Sequence, residues 1–183
     1  MKNTVLNTDC ISAIKALPAN SYDVGFADCP QAWKNDQKKR GEFFYHLRRA
    51  TKKQMVFGYQ FYAYLLHNHG SIIVWDKGEM LKSKPFDECL IIWYSENVCT
   101  RVVHFNPFFA GKPIHKSEKP IQLYRWILNF YLEEGESVLD AHVGSGTLRL
   151  ASAERGIDYL GYELDKEIYN RQEARYNNYK RSK

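Results

Sequence analysis

Residues 138–163 constrain the fold more than any other part of the chain. Val138-Leu139-Asp140 reads as an apolar strand ending in an acid. Ala141-His142-Val143-Gly144-Ser145-Gly146-Thr147 follows as a glycine turn that opens a helix. Glycines let the backbone approach a ligand closely, and a helix N-terminus offers free N–H groups to an anion. A second strand, Tyr159-Leu160-Gly161-Tyr162, ends in Glu163, 23 residues after Asp140. In dinucleotide-binding folds an acid at about that offset holds ribose hydroxyls. The unit therefore points to a nucleoside-bearing cofactor at the carboxyl ends of adjacent strands. Position 149 is Arg rather than Gly, so this is not the G-x-G-x-x-G of hydride-transfer enzymes. The bland alternative is a tight turn plus a surface acid.

Elsewhere short apolar runs alternate with helical stretches. Thr4–Asn7, Tyr22–Ala27, Gln54–Gly58, Ser71–Trp75, Ser137–Leu139 and Tyr159–Tyr162 read as strands. Glu88–Tyr94 and Arg101–Phe105 are two more, close enough in sequence to pair antiparallel. Helices are expected over Ile11–Leu17, Tyr59–His67, Lys119–Leu132, Gly146–Glu154 and Lys166–Tyr179. The 119–132 helix has its polar stripe at Gln122, Arg125 and Asn129 and is apolar elsewhere, so it should be largely buried. Alternation of this kind implies an α/β fold with a mostly parallel sheet. The 183 residues suit a single domain over 1–183. No apolar run reaches the roughly 18–20 residues that cross a bilayer. The first residues lack a signal-peptide pattern, and Cys10, Cys29, Cys89 and Cys99 are scattered, so a reducing cytoplasm is expected. No metal-ligand spacing is present.

The net charge of +5 is concentrated. Residues 34–53 hold Lys34, Lys38, Lys39, Arg40, Arg48, Arg49, Lys52 and Lys53 against Asp36 and Glu42, a local +6, interrupted by Phe43, Phe44 and Tyr45. Basic side chains interleaved with aromatics suit a phosphate backbone and exposed bases, with Lys38, Lys39, Arg40, Arg48 and Arg49 as candidate DNA contacts. The alternative is a charged, solvated helix whose aromatics face the core.

Together these residues resemble the beta class of DNA amino-methyltransferases, which serve DNA methylation in restriction–modification systems. Asp140-Ala141-His142-Val143-Gly144-Ser145-Gly146-Thr147 is similar to the cofactor motif D-P-F-x-G-S-G-T. His115-Lys116-Ser117-Glu118-Lys119-Pro120 resembles H-P-T-Q-K-P, and Gly161-Tyr162-Glu163-Leu164-Asp165 resembles G-x-E-x-D. Asp9-Cys10, some twenty residues before Asp28-Cys29-Pro30-Gln31, resembles an acidic adenine contact followed by the catalytic D-P-P-Y. The resemblance implies a Rossmann-like fold with an antiparallel hairpin edge and circularly permuted motif order, binding S-adenosylmethionine. Asp140, His142 and the Gly144-Ser145-Gly146-Thr147 turn would meet the methionine end, and Glu163 the ribose. Asp9, with Cys10, would face the adenine, while Lys119 and Ser117 would help with the methionine carboxylate. The N-terminal strand would have to lie beside the strand ending at Glu163. The implied activity is methylation of an exocyclic amino group of double-stranded DNA, adenine before cytosine. Asp28, Cys29, Pro30 and Gln31 would be the catalytic residues.

Two departures stand out. Cys29 replaces the first proline of D-P-P-Y, and Gln31 replaces the aromatic that stacks on the flipped base. Trp33 is a candidate substitute. Only residues 96–114 separate the expected hairpin strand Glu88–Tyr94 from His115, too few for a separate target-recognition domain. Specificity would then be low, or come from a partner or second copy, or reside in 34–53. His142 and His46 are expected to be loop or surface residues. Three readings stay open: a DNA amino-methyltransferase, a catalytically impaired relative that binds cofactor or DNA, and an RNA or small-molecule methyltransferase.

Overall fold

The computed structural model describes residues 2–33, 35–67, 69–78, 87–106, 113–115 and 117–183; of Gln31 it describes the backbone alone. Lys34, Lys116 and part of the 96–114 stretch thus lie outside the described residues. Eight described strands form one sheet: β1 (Asn3–Asn7), β2 (Tyr22–Ala27), β3 (Thr51–Phe57), β4 (Ser71–Asp76), β5 (Cys89–Tyr94), β6 (Arg101–His104), β7 (Val138–Asp140) and β8 (Tyr159–Glu163). Their spatial order is β1-β8-β7-β2-β3-β5-β4-β6. β5 alone runs against its neighbours, so the sheet is mostly parallel. The N-terminal strand β1 does pair with β8, from Asn3 opposite Tyr159 to Asn7 opposite Glu163.

One expected pairing is corrected. Residues 101–104 do not pair with 89–94. β5 inserts between β3 and β4, antiparallel to both, and β6 adds parallel to the outer side of β4. The antiparallel hairpin is therefore β4–β5. Residues 59–67 are likewise not one helix: they form two 3-10 turns, Tyr59–Phe61 and Ala63–Leu65, after Gly58 in the left-handed region at φ +77°.

Helices cover both faces. α1 (Cys10–Ala16) and α2 (Gln37–Ala50) bury Ile11, Ile14, Phe43, Phe44 and Leu47 on one face, against Ala27, Val56, Leu139 and Tyr162. On the other, α3 (Ile121–Tyr131) and α4 (Thr147–Arg155) bury Leu123, Ile127, Leu128 and Leu148 against Val24, Phe26, Met55 and Val138. α3 buries Leu123, Tyr124, Ile127, Leu128 and Tyr131, the wide apolar face expected of it. α5 (Lys166–Arg181) is capped by Asp165, whose carboxylate accepts from the Glu167 and Ile168 amides. Buried Arg149 ties α4 to the rest. Its Nε donates to Asn3 and its Nη1 to Gln172 and Glu173 of α5, while the guanidinium lies 3.8 Å from the Tyr176 ring centroid. No described helix is long and apolar enough to cross a membrane.

The basic segment is the helical alternative: α2 starts at an Asp36 N-cap that accepts from Lys39 N. It also engages part of the expected DNA track in internal contacts. Arg40 is 5% exposed and donates through Nη1 to the Phe61 carbonyl at 3.2 Å. Arg48 donates to Leu65 O at 2.8 Å, and Arg49 to Ile14 O and Lys15 O in the last turn of α1. Lys52 and Lys53 pair with Asp23 and Glu136 near the amino ends of the strands. These cations satisfy backbone and carboxylate acceptors. Lys38 and Lys39 stand at the opposite end of α2, about 20 Å along 14 residues of helix.

Gly161 shows how tightly β8 is fitted. A Cβ there would lie 2.4 Å from Val143 Cγ2 and 2.8 Å from the Tyr159 hydroxyl. Gly161→Ala is expected to destabilise the fold by about 1–3 kcal/mol through overpacking, read as a lowered denaturant midpoint at unchanged slope.

Candidate active site

Side chains alternate along a strand, so residues two apart share a face. Phe26 faces the α3–α4 layer, and Asp28 follows it by two. Val138 and Asp140 share that face, as do Tyr159, Gly161 and Glu163. Because β8, β7 and β2 are adjacent and parallel, their terminal acids are brought side by side, and Asp9 follows β1 on the outer flank. Four carboxylates thus line the carboxyl ends of four neighbouring strands, across about 14 Å at the usual strand spacing. Between β7 and β2 the chain leaves to opposite faces, through α4 and through α2, and such switch points open a crevice.

Asp140 is 5% exposed. Its Oδ2 accepts from the Tyr159 hydroxyl at 2.7 Å and its Oδ1 from His142 N at 3.2 Å. Burial, reinforced by Asp28 and Glu163, raises its pKa to about 7 despite those two donors. Glu163 shapes the glycine turn: Oε2 accepts from Gly144 N at 2.9 Å and Oε1 from Asp165 N at 2.8 Å. Gly144 and Gly146 have φ of +53° and +74°, a region that favours glycine. A Cβ on Gly144 would meet nothing within 4 Å, so this backbone borders open space.

Asp28 forms an ion pair with Lys119, whose side chain is 7% exposed and whose ammonium lies 5.0 Å from the Phe57 ring centroid. Lys119 is thus drawn to Asp28. Cys29 is half-buried and packs into the same cluster as Tyr62. Burial pushes the Cys29 thiol well above its ordinary pKa, which leaves it protonated and unsuited to nucleophilic attack. Asp9 caps α1 by accepting from Ser12 N at 2.9 Å, a local role beside the one expected of it.

Several expected positions need correction. His142 lies in the loop after β7, as expected, but is half-buried rather than at the surface. Its ring packs against Trp33 and Phe43, each at 5.1 Å, its Nε2 lies 3.5 Å from Cys10 Sγ, and its Nδ1 is buried. Burial lowers its pKa to about 4 and raises the Cys10 thiol to about 12, so a neutral imidazole faces a neutral thiol. Trp33 is 8% exposed within the same cluster and offers no face to a base. His46 is half-buried, its ring 5.1 Å from that of Tyr45. Ser145 and Thr147 turn their hydroxyls toward each other, at 2.8 Å, beneath the loop. Ser117 is exposed, and its amide donates to His115.

The sequence reading missed the brace under this loop. Arg175 of α5 donates to Glu118 Oε1 at 2.7 Å, to Ser145 O and to Thr147 Oγ1. Glu118 Oε2 accepts from Ile114 N. Tyr159 was also missed as a partner of Asp140, although its shared face with Gly161 and Glu163 signals it.

The N6_N4_Mtase family model, described as DNA methylase, matches residues 28–174. The chain belongs to this family of DNA amino-methyltransferases. Among curated relatives of this chain are the type II methyltransferases M.HindIII of Haemophilus influenzae and M.MthZI of Methanothermobacter thermautotrophicus. M.HindIII is 37% identical over 59 residues, 32% of this chain and 19% of its own length. M.MthZI is 28% identical over 129 residues, 63% of this chain and 36% of its own. The chain therefore spans well under half the length of these relatives. In fold it is similar to the M1.HpyAVI–SAM complex, with TM-score 0.74 and 19% identity, covering 95% of this chain and 98% of that one.

The cofactor of this methyltransferase family is S-adenosylmethionine, and the residues present fit it. Asp140 is a buried carboxylate whose hydrogen-bond donors are neutral, suited to a cationic ligand. Glu163 is placed to accept from sugar hydroxyls, and the open face of Gly144 allows close approach.

Asp140 and His142 give opposite pH dependences. Asp140 titrates near 3.8 when exposed and near 7 in the fold, so its contribution favours folding at acid pH and is lost as pH rises to about 7. His142 titrates near 6.5 when exposed and near 4 in the fold, so its contribution is present above 6.5 and lost as pH falls to about 4. In thermal denaturation of cofactor-free protein, Asp140→Asn should lose stability on acidification from pH 6.5 to 4 more steeply than wild type. His142→Phe should show the reverse, gaining relative to wild type over the same window.

Proposed function

We propose that this chain transfers the methyl group of S-adenosylmethionine to the exocyclic amino group of a base in double-stranded DNA, adenine before cytosine. The observation that carries the reading is Asp28 on the strand beside Asp140, on the same face, across the crevice between β2 and β7. When bound, the cofactor supplies an electrophilic methyl group on a sulfonium. The chain's own residues do the rest. An exocyclic amino nitrogen is a poor nucleophile because its lone pair is delocalised into the ring. The Asp28 carboxylate accepts one amino hydrogen and the Cys29 carbonyl the other, which favours a more tetrahedral nitrogen aimed at the methyl. Pro30 biases Cys29 toward the extended backbone that this needs. Positioning and fixed electrostatics supply the acceleration, and no strong base is required. Lys119 fixes one oxygen of Asp28 and leaves the other to the substrate.

The preference for adenine rests on the leading Asp of the D-P-P-Y-like motif. We read 1–183 as one methyltransferase domain, since its length matches that of the M1.HpyAVI chain nearly end to end. With Arg40, Arg48 and Arg49 spent on carbonyls, sequence preference is assigned to a partner or a second copy, or is low. A second reading, a cofactor-binding relative without turnover, is favoured by Gln31 in place of the motif aromatic.

Labelled methyl transfer to mixed-sequence DNA separates the two readings. Transfer should occur with wild type and fall about a hundredfold or more in Asp28→Ala, while calorimetric cofactor binding persists. Asp140→Ala should instead weaken cofactor binding by about tenfold to a hundredfold, the scale of a lost charge-assisted contact. Wild type that binds cofactor but never methylates DNA would establish the second reading.

A further inference from the structure

The D-P-P-Y-like motif lacks its aromatic at position 31, and the nearby Trp33 is turned into the core. An extruded base therefore needs another ring to lie against. β3 runs parallel to β2 with Ala27 opposite Val56, so the residues after Phe57 emerge beside those after Ala27, where Asp28 stands. There the chain turns at Gly58 into the 3-10 turn Tyr59–Phe61. The Phe61 ring covers Gly58, 3.2 Å from where a Cβ would be, yet remains 43% exposed.

This ring stands on a built support. Tyr62, 4% exposed, belongs to the buried cluster against which Cys29 packs, and its ring centroid is 6.3 Å from that of Phe61. The turn is thereby tied to the catalytic motif. Arg40 donates to the Phe61 carbonyl, and its guanidinium lies 5.8 Å from the Tyr62 ring and 5.5 Å from the Tyr64 ring. A buried cation stacked on two rings fixes the turn's backbone, and Lys38 is exposed at the same end of α2.

We infer that Phe61 is the surface on which the target base stacks, in place of the aromatic absent at position 31, with Arg40 and Tyr62 as positioning residues. The inference rests on the DNA-methylation reading above. Stacking on a ring tolerates any base, and recognition of the amino group is left to Asp28 and the Cys29 carbonyl.

The test compares Phe61→Ala, Phe61→Leu and Phe61→Trp in the full chain loaded with S-adenosylhomocysteine. Anisotropy of a labelled single-stranded oligonucleotide of mixed sequence reads binding, and methyl transfer to DNA reads activity. Ala and Leu should weaken oligonucleotide binding by about tenfold to a hundredfold, and Trp should retain it. Affinity for S-adenosylhomocysteine should be unchanged in all three. Leu keeps apolar bulk without a π face, so wild-type binding by Phe61→Leu or Phe61→Ala overturns the inference. Loss of S-adenosylhomocysteine binding in step with oligonucleotide binding overturns it too. If wild type methylates DNA and Phe61→Ala does so equally well, the stacking role falls and the methylation reading stands. If Phe61-dependent binding is seen without any transfer, the stacking role stands and the methylation reading falls. A wild type that neither binds nor methylates DNA overturns both.

Discussion

Parallel pairing of β1, β8, β7 and β2 is the constraint from which the site follows. The sheet's period of two places Asp28, Asp140 and Glu163 on one face, and the register sets their order. A slip of one residue in β7 would turn Asp140 toward the α1–α2 layer, away from Asp28 and Glu163. The strand pairing that builds the core therefore also aims the chemistry. Tyr159 extends the same logic. One strand neighbour away from Asp140 and on its face, it donates to a carboxylate that would otherwise be buried without a side-chain donor.

Around this row the loops are held by charges that look from sequence like ligands for something else. Arg175 and Glu118 brace the glycine turn from below, Lys119 holds Asp28, and Arg40 anchors the turn after β3. Buried arginines suit this work, because one guanidinium can serve several carbonyl acceptors in a fixed plane. The surplus charge of residues 34–53 is thus mostly an accounting of internal acceptors.

The cofactor half was legible because its signals are local. A strand, an acid, two glycines and a second acid at fixed offsets are read without knowing what packs where. The position of β1 beside β8 followed from the motif order alone. The pairing of β5 was not legible: Cys89–Tyr94 is apolar nearly throughout, and nothing in such a run says that it slips between β3 and β4 rather than joining β6. His142 stands where the family motif has Phe, and its aromatic surroundings show why a neutral ring is kept there. The internal contacts of Arg40, Arg48 and Arg49 were not legible, because their acceptors, Phe61, Leu65 and the end of α1, are distant in sequence or lie in segments without regular pattern.

The pairing of β1 with β8 has a consequence for how the protein is made. Asn3 and Tyr159 are neighbours in space but are separated by nearly the entire length of the chain. During synthesis β1 leaves the ribosome well before the strand that completes it, whereas β2 and β3 emerge close together. Contacts of such long range form late, because the intervening loop must be closed before they give any return. The β1 edge of the crevice is therefore assembled last, and a nascent chain has no finished pocket until β8 has emerged.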